Sequence, residues 1–176
     1  MVIHEMPPHE CRQMLARTSL ARLACARHNQ PYIVPIHVDL EGGFLYGFAT
    51  MGQKIEWMRE NPLVCVEMDE LTSRAQWATL IVFGKYEELP KTPDHQAARD
   101  VAEKLFQQHP MWWEPASVPV DSATQRLPIV FRISVDRVTG RYAKPANPAP
   151  PVREDAPPGG RPHWLTRLLR RADRQG

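Results

Sequence analysis

Tyr32, Val34, Ile36 and Val38 alternate with Ile33, Pro35, His37 and Asp39, and the same rhythm returns where Ile129, Phe131, Ile133 and Val135 alternate with Val130, Arg132 and Ser134. Side chains two apart share one face of a strand, so each segment reads as a half-buried β-strand. Four more runs bounded by turn residues, Leu20 to Ala26, Phe44 to Thr50, Leu63 to Asp69 and Trp77 to Leu89, bring the expected strands to six. His28-Asn29-Gln30 and Glu41-Gly42-Gly43 supply tight turns between the first three, for which an antiparallel meander is the economical expectation. Gly84, inside the longest run, marks a bulge or a close backbone approach.

Helical spacing is confined to a few places. Cys11, Met14, Leu15 and Thr18 predict an amphipathic helix over roughly 8–17. A short helix over roughly 52–59 is stopped at Asn61-Pro62, because the residue before proline avoids the helical region. Thr92-Pro93-Asp94 opens another, with Ala97, Ala98, Val101, Ala102 and Leu105 as its buried face. Six strands and a few helices make a mainly β fold of the α+β kind, a small antiparallel barrel with helices packed outside.

Proline sets the domain limits. Seven of the eighteen prolines fall between Pro145 and Pro162, where large apolar side chains are scarce, so the segment cannot bury enough surface to offset its ordering entropy. The expected organisation is a domain over 1–144, a linker over 145–162 and a basic amphipathic helix over 163–176. In that helix Trp164, Leu165, Leu168 and Leu169 oppose Arg167, Arg170, Arg171 and Arg174. It would dock on its own domain or a second subunit, with contact to an anionic membrane or nucleic acid, or disorder, as the alternatives.

Between Arg161 and Arg174 five arginines face the single Asp173, a local charge of +4 that leaves 1–160 at −2 of the overall +2. The main domain therefore has no general electrostatic attraction for nucleic acid. No run of about 18 apolar residues exists to span a membrane. Met1 to Pro8 lacks the regions of a signal peptide, so the cytoplasm is the expected compartment. Cys11, Cys25 and Cys65 have no metal-ligand or disulfide-framework spacing, and neither do the seven histidines. The Walker A, G-x-G-x-x-G, G-x-S-x-G and H-E-x-x-H patterns are all absent.

The informative segment is Tyr46-Gly47-Phe48-Ala49-Thr50-Met51-Gly52-Gln53-Lys54. A strand gives way here to a helix whose first-turn N–H groups lack intrahelical partners and favour an anion. Thr50 adds a hydroxyl, Gly52 allows close approach and Lys54 brings a point charge suited to phosphate; an ordinary capped helix with a solvated lysine is the competing reading. Pro35 inside a strand signals an edge or a bulge, where backbone groups are free for a ligand. His37 lies on the face opposite Val34 and Ile36, while Trp77 and Thr79 share a face and place stacking area beside a hydroxyl.

In order, Cys11 to Leu15, Ala21 to Ala24, Gln30 to His37, Leu45-Tyr46 with Gly52-Gln53-Lys54, Asn61 to Asp69, the Trp77 strand ending Val82-Phe83-Gly84-Lys85, and Val138 to Arg141 resemble the pyridoxamine 5′-phosphate oxidase-like split-barrel flavoproteins, nearest the nitroimidazole-resistance branch. The resemblance covers roughly 10–142 and implies a six-stranded antiparallel split β-barrel with flanking helices. It implies a homodimer with FMN at the subunit interface, the phosphate near Ala49, Thr50, Gln53 and Lys54 and the ring along Val34, Pro35, Ile36 and His37. Trp77 and Thr79 would lie nearby, from the same or the other subunit, and Trp112-Trp113 could cover the pocket. The implied activity is FMN-dependent oxidation or reduction of an unknown small molecule. A binder or sequestering module for flavin or haem, and a deazaflavin in place of FMN, are the alternatives. Relatives in that branch commonly carry asparagine where His37 stands and histidine where Phe48 stands, and Arg167, Arg170 and Arg171 match no substrate-phosphate signature.

Overall fold

The computed structural model describes residues 2–108 and 128–145, so the basic helix, nearly all of the proline linker and Trp112-Trp113 lie outside the described residues. The described elements are β1 (Val2–Glu5), α1 (Pro8–Arg17), β2 (Leu20–Arg27), β3 (Gln30–His37), β4 (Asp39–Glu41), β5 (Phe44–Ala49), α2 (Gln53–Glu60), β6 (Leu63–Ser73), β7 (Gln76–Glu88), α3 (Gln96–Gln108), β8 (Ile129–Ser134) and β9 (Arg137–Lys144). Every pairing is antiparallel. The strands follow the path β3-β2-β6-β7-β8-β5-β4, with β9 paired to both β7 and β1. β3 and β4 end the path without pairing to each other, so the sheet is not closed.

The expected six strands become nine, because two of the alternating runs change partners partway. The Tyr32 run breaks at Val38, whose N–H bonds the carbonyl of Ser19 at 3.0 Å; before the break β3 pairs with β2, and after it β4 pairs with β5. The Ile129 run breaks where Val135 N–H bonds Gly43 and Asp136 N–H bonds Phe83, each at 3.0 Å, so β8 runs beside β5 and β9 beside β7. β1 is a four-residue strand added at the β9 edge. The expected antiparallel neighbours are kept, β2 with β3 and β4 with β5, but the break at Val38 puts the two pairs at opposite ends of the sheet path. β5 pairs with β4 and β8, while β2 places β6 on its far side.

Turn chemistry follows the sequence. His28 and Asn29 adopt positive φ in the two-residue loop between β2 and β3, and Gly42-Gly43 do so between β4 and β5. β7 serves two half-sheets, pairing Trp77 to Phe83 with β9 and Tyr86 to Glu88 with β8. Gly84 is the crossing point. A Cβ there would lie 1.7 Å from the Ser134 carbonyl oxygen, so no larger residue fits without moving backbone.

Two cores result. In the first, Leu23, Val66, Met68, Leu80 and Val82 on the inward face of the sheet pack with Met14 of α1 and Ile55 and Met58 of α2, all fully buried. Each such side chain contributes about 1.5–3 kcal/mol by leaving water. The second lies under α3, where Tyr46, Leu89, Ala102, Leu105 and Val130 come together.

Candidate functional site

β5 ends at Ala49, Thr50 is exposed, and α2 begins at Gln53 with Gly52 as its N-cap. The Gly52 carbonyl accepts from the N–H groups of Ile55 and Glu56 at 3.0 and 3.2 Å. No side chain caps this terminus, so the amides of Gln53 and Lys54 are first-turn donors without a cap. A Cβ on Gly52 would meet nothing within 4 Å, so the backbone there faces open space.

Lys54 is half-buried, and burial pushes its amine below the ordinary lysine range. It has no carboxylate partner among the described residues, and it stands in the first helical turn, where the helix dipole is itself positive. Glu56 offsets part of that field from the same turn. Open space, uncapped amides and an amine without a carboxylate partner are what an anion would need.

The β3 side chains separate by face. Val34 and Ile36 point inward, opposite Leu23 and Ala21, and pack in the first core. Ala49 is likewise only 7% exposed and faces that core. For these three residues only the backbone is left for a ligand. Pro35 and His37 point outward, opposite Arg22 and Leu20. β3 ends the sheet path, so proline stands on an edge strand, where its missing N–H costs no ladder bond. Burial lowers the His37 pKa, leaving the imidazole neutral at pH 7. The carbonyl of His37 lies 3.0 Å from the position of a Cβ on Gly47, which ties this end of β3 to β5. With Thr50 three residues beyond Gly47, the two ends of the candidate site are about 10 Å apart along the strand.

Trp77 and Thr79 share the outward face with Pro35 and His37, yet β2 and β6 intervene between β3 and β7. At about 4.8 Å per strand that is about 14 Å, so the chain by itself does not bring these residues together. Between them runs an ion-paired row. Arg22 lies 3.3 Å from Glu67 and also bonds Asp69, and Thr79 Oγ1 donates to Glu67 at 3.0 Å. The sequence reading missed this row; the charges at alternate positions Glu67 and Asp69 were the available signal. Trp77 borders a cleft of about 450 Å³ between α1 and β9, with His9, Arg17, Glu70 and Tyr142.

Phe48 faces away from the corner. Its ring meets Phe106 of α3 edge-on, with centroids 5.3 Å apart at 76°, so this position is a packing site in the second core.

The model of the pyridoxamine 5′-phosphate oxidase family matches residues 7–142. Uncharacterized protein RA0666 of Rhizobium meliloti (strain 1021) is 42% identical over 146 residues, which are 81% of this chain and 97% of that protein. The crystal structure of a FAD-binding protein (mll6688) from Mesorhizobium loti superposes with a TM-score of 0.69 at 39% identity, covering 82% of this chain and all of that one. A Bacteroides thetaiotaomicron VPI-5482 protein assigned to 5-nitroimidazole antibiotic resistance has a TM-score of 0.57 at 17% identity, over 81% of this chain and 89% of that one, a likeness of fold. With most of its length matched by the family model and a close relative spanned almost end to end, the chain belongs to the pyridoxamine 5′-phosphate oxidase family, and its open antiparallel sheet is of the split-barrel type.

Proposed function

We propose that this protein binds a flavin, FMN, as a homodimer and uses it to oxidise or reduce a small molecule. The observation that carries the reading is the half-buried, unneutralised Lys54 beside the open space at Gly52. One amine, the uncapped amides of Gln53 and Lys54 and the Thr50 hydroxyl suit a single phosphate. The 39% identity with a FAD-binding protein supports a flavin as the molecule that carries this phosphate.

Bound flavin would supply the electron transfer, and the protein's task is to hold and orient it. Thr50, Gln53 and Lys54 would hold the phosphate. The outward edge of β3 over Val34 to His37 offers backbone groups to a ring, with the His37 side chain on the same face. Trp77 and Thr79 would come from the second protomer, since within one chain β2 and β6 keep them from His37.

The dimer has its own support. Ile3, Leu20, Ile33, Leu63 and Leu71 are all more than half exposed, and by register all five lie on the outward face that carries Pro35, His37, Trp77 and Thr79. Apolar side chains gathered on one sheet face are what a partner covers. Two-fold pairing of that face presents each protomer's Trp77 to the other's β3.

The test is mass spectrometry of the small molecule released from heat-denatured, purified protein, with an absorption spectrum before release. FMN is the expected product. FAD would keep the flavin reading and correct the nucleotide, whereas a Soret band, or protein that neither binds nor is stabilised by any flavin, would refute it. Sedimentation should give a dimer, and turnover with NAD(P)H separates an enzyme from a binder.

A further inference from the structure

Where β7 ends and β8 begins, a cavity of about 290 Å³ opens beside the first turns of α3. Leu89, Pro90, Pro128, Ile129 and Val130 form its walls. Its size is at the lower end of the ~300–1,000 Å³ range of small-ligand pockets, which leaves no room for a nucleotide.

Into these apolar walls the protein sets a charge. Arg99, 8% exposed, is the buried charged residue among those described, and it lines the cavity. Its guanidinium is oriented by donating to the Leu89 carbonyl, and Glu103, one turn along α3, lies 3.5 Å away with its side chain 55% exposed. Five N–H donors are more than these two acceptors use. Lys91 adds a second positive charge at the lining.

The carboxylate at the cavity, Glu88, is already committed. It accepts from Arg59 at 2.6 and 3.0 Å and from the Tyr86 hydroxyl at 2.9 Å. Its charge is thus matched on the α2 side; Glu103 offsets part of Arg99 from its exposed position, and Lys91 leaves the lining with a net positive charge beside an apolar wall. A fixed guanidinium fork matches a planar carboxylate better than a point charge does.

We propose that this cavity binds a small apolar monocarboxylate, its carboxylate on Arg99 and its hydrocarbon part against Leu89, Pro128, Ile129 and Val130. The cavity adjoins the corner through the paired residues Ala49 and Ile129, but Arg99 on α3 and Leu89 and Pro90 just past β7 are no part of that corner, and the proposal stands whether or not the corner holds a flavin.

The probes are sodium benzoate and its neutral isostere benzamide, titrated into the full-length protein as purified and followed by backbone-amide NMR. Benzoate should give saturable shifts at Leu89, Lys91, Ile129 and Val130 at about millimolar concentration, and benzamide should bind at least about tenfold more weakly. Arg99→Met should abolish the benzoate shifts while leaving the rest of the spectrum unchanged. Should Arg99→Met not fold, Arg99→Lys, which keeps the charge and loses the guanidinium fork, should weaken benzoate binding at least about tenfold. Absence of saturable shifts, equal binding of benzamide, or benzoate shifts confined to Thr50–Lys54 would each overturn the proposal.

Discussion

The two ends of α2 carry cations of opposite character. At its start Lys54 is half-buried, opposed by the helix dipole and without a carboxylate partner among the described residues. At its end Arg59 is exposed, favoured by the dipole and held in a two-pronged pair by Glu88. One charge is placed where it costs stability, the other where it contributes a little. An anion bound at the first end would offset its cost, whereas the second needs no ligand to explain it.

Replacing each charge separates the two roles most directly. Lys54→Met should weaken FMN binding by about ten- to a hundredfold, the range of one lost charge-assisted hydrogen bond, while the apoprotein melts at the same temperature or higher. Flavin fluorescence titration and a thermal melt check both halves. A variant that keeps its affinity would mean that the start of α2 is not the phosphate site.

Gly47→Ala probes the spacing behind the corner. Its Cβ would sit 2.8 Å from the Phe131 ring and 3.0 Å from the His37 carbonyl, so overpacking should cost about 1–3 kcal/mol in a denaturant melt. Flavin affinity should fall with it, because the link between β3 and β5 is what sets the two ends of the site apart.

Phe48→His introduces the residue that the resemblance to the nitroimidazole-resistance branch leads one to expect there. It sets an imidazole against Phe106, and the expected loss is about 1–2 kcal/mol of stability with FMN affinity unchanged. A gain in flavin affinity would place Phe48 at the site after all.

The smallest effect lies at the Arg59 end and depends on pH. Hydrogen bonds from Arg59 hold the Glu88 carboxyl below its ordinary value of 4.5. A depressed carboxylate pKa adds stability above that ordinary value, and the contribution is lost as acid titrates through the lower, folded-state value. Lys54 runs the other way in sign of effect: burial depresses an amine, so the protein is penalised at neutral pH and recovers stability as pH climbs toward the ordinary lysine value of 10.5. Arg59→Met should lower the melting temperature slightly at pH 7 and flatten the acid limb. Lys54→Met should flatten the alkaline limb, and bound phosphate should do so as well by favouring the charged amine.

The two parts of the candidate site differed in how readable they were. The corner from Thr50 to Lys54 was legible because everything that makes it lies within a few residues: a strand end, a glycine cap and a lysine in the first turn. The relation of His37 to Thr79 was not. Alternation assigns each side chain to a face, and both were placed on faces correctly, but it says nothing about which strand comes next. The expected neighbour of β3 was β5. Val38 instead gave its N–H to Ser19, the chain turned the corner, and β2 and β6 filled the space between β3 and β7.

Period, turn chemistry and helix ends are local properties, set by sterics and hydrogen bonds over a few residues, and from them the chain alone determined where most of its strands run, its glycine turns, α1 to α3 and the strand-to-helix corner at Thr50 to Lys54. Strand order, the splitting of two runs into four strands and the burial of Arg99 depend on contacts between residues distant in sequence. Those were decided only by the tertiary structure, because a strand edge can pair with several partners at similar cost and packing of the whole sheet selects one.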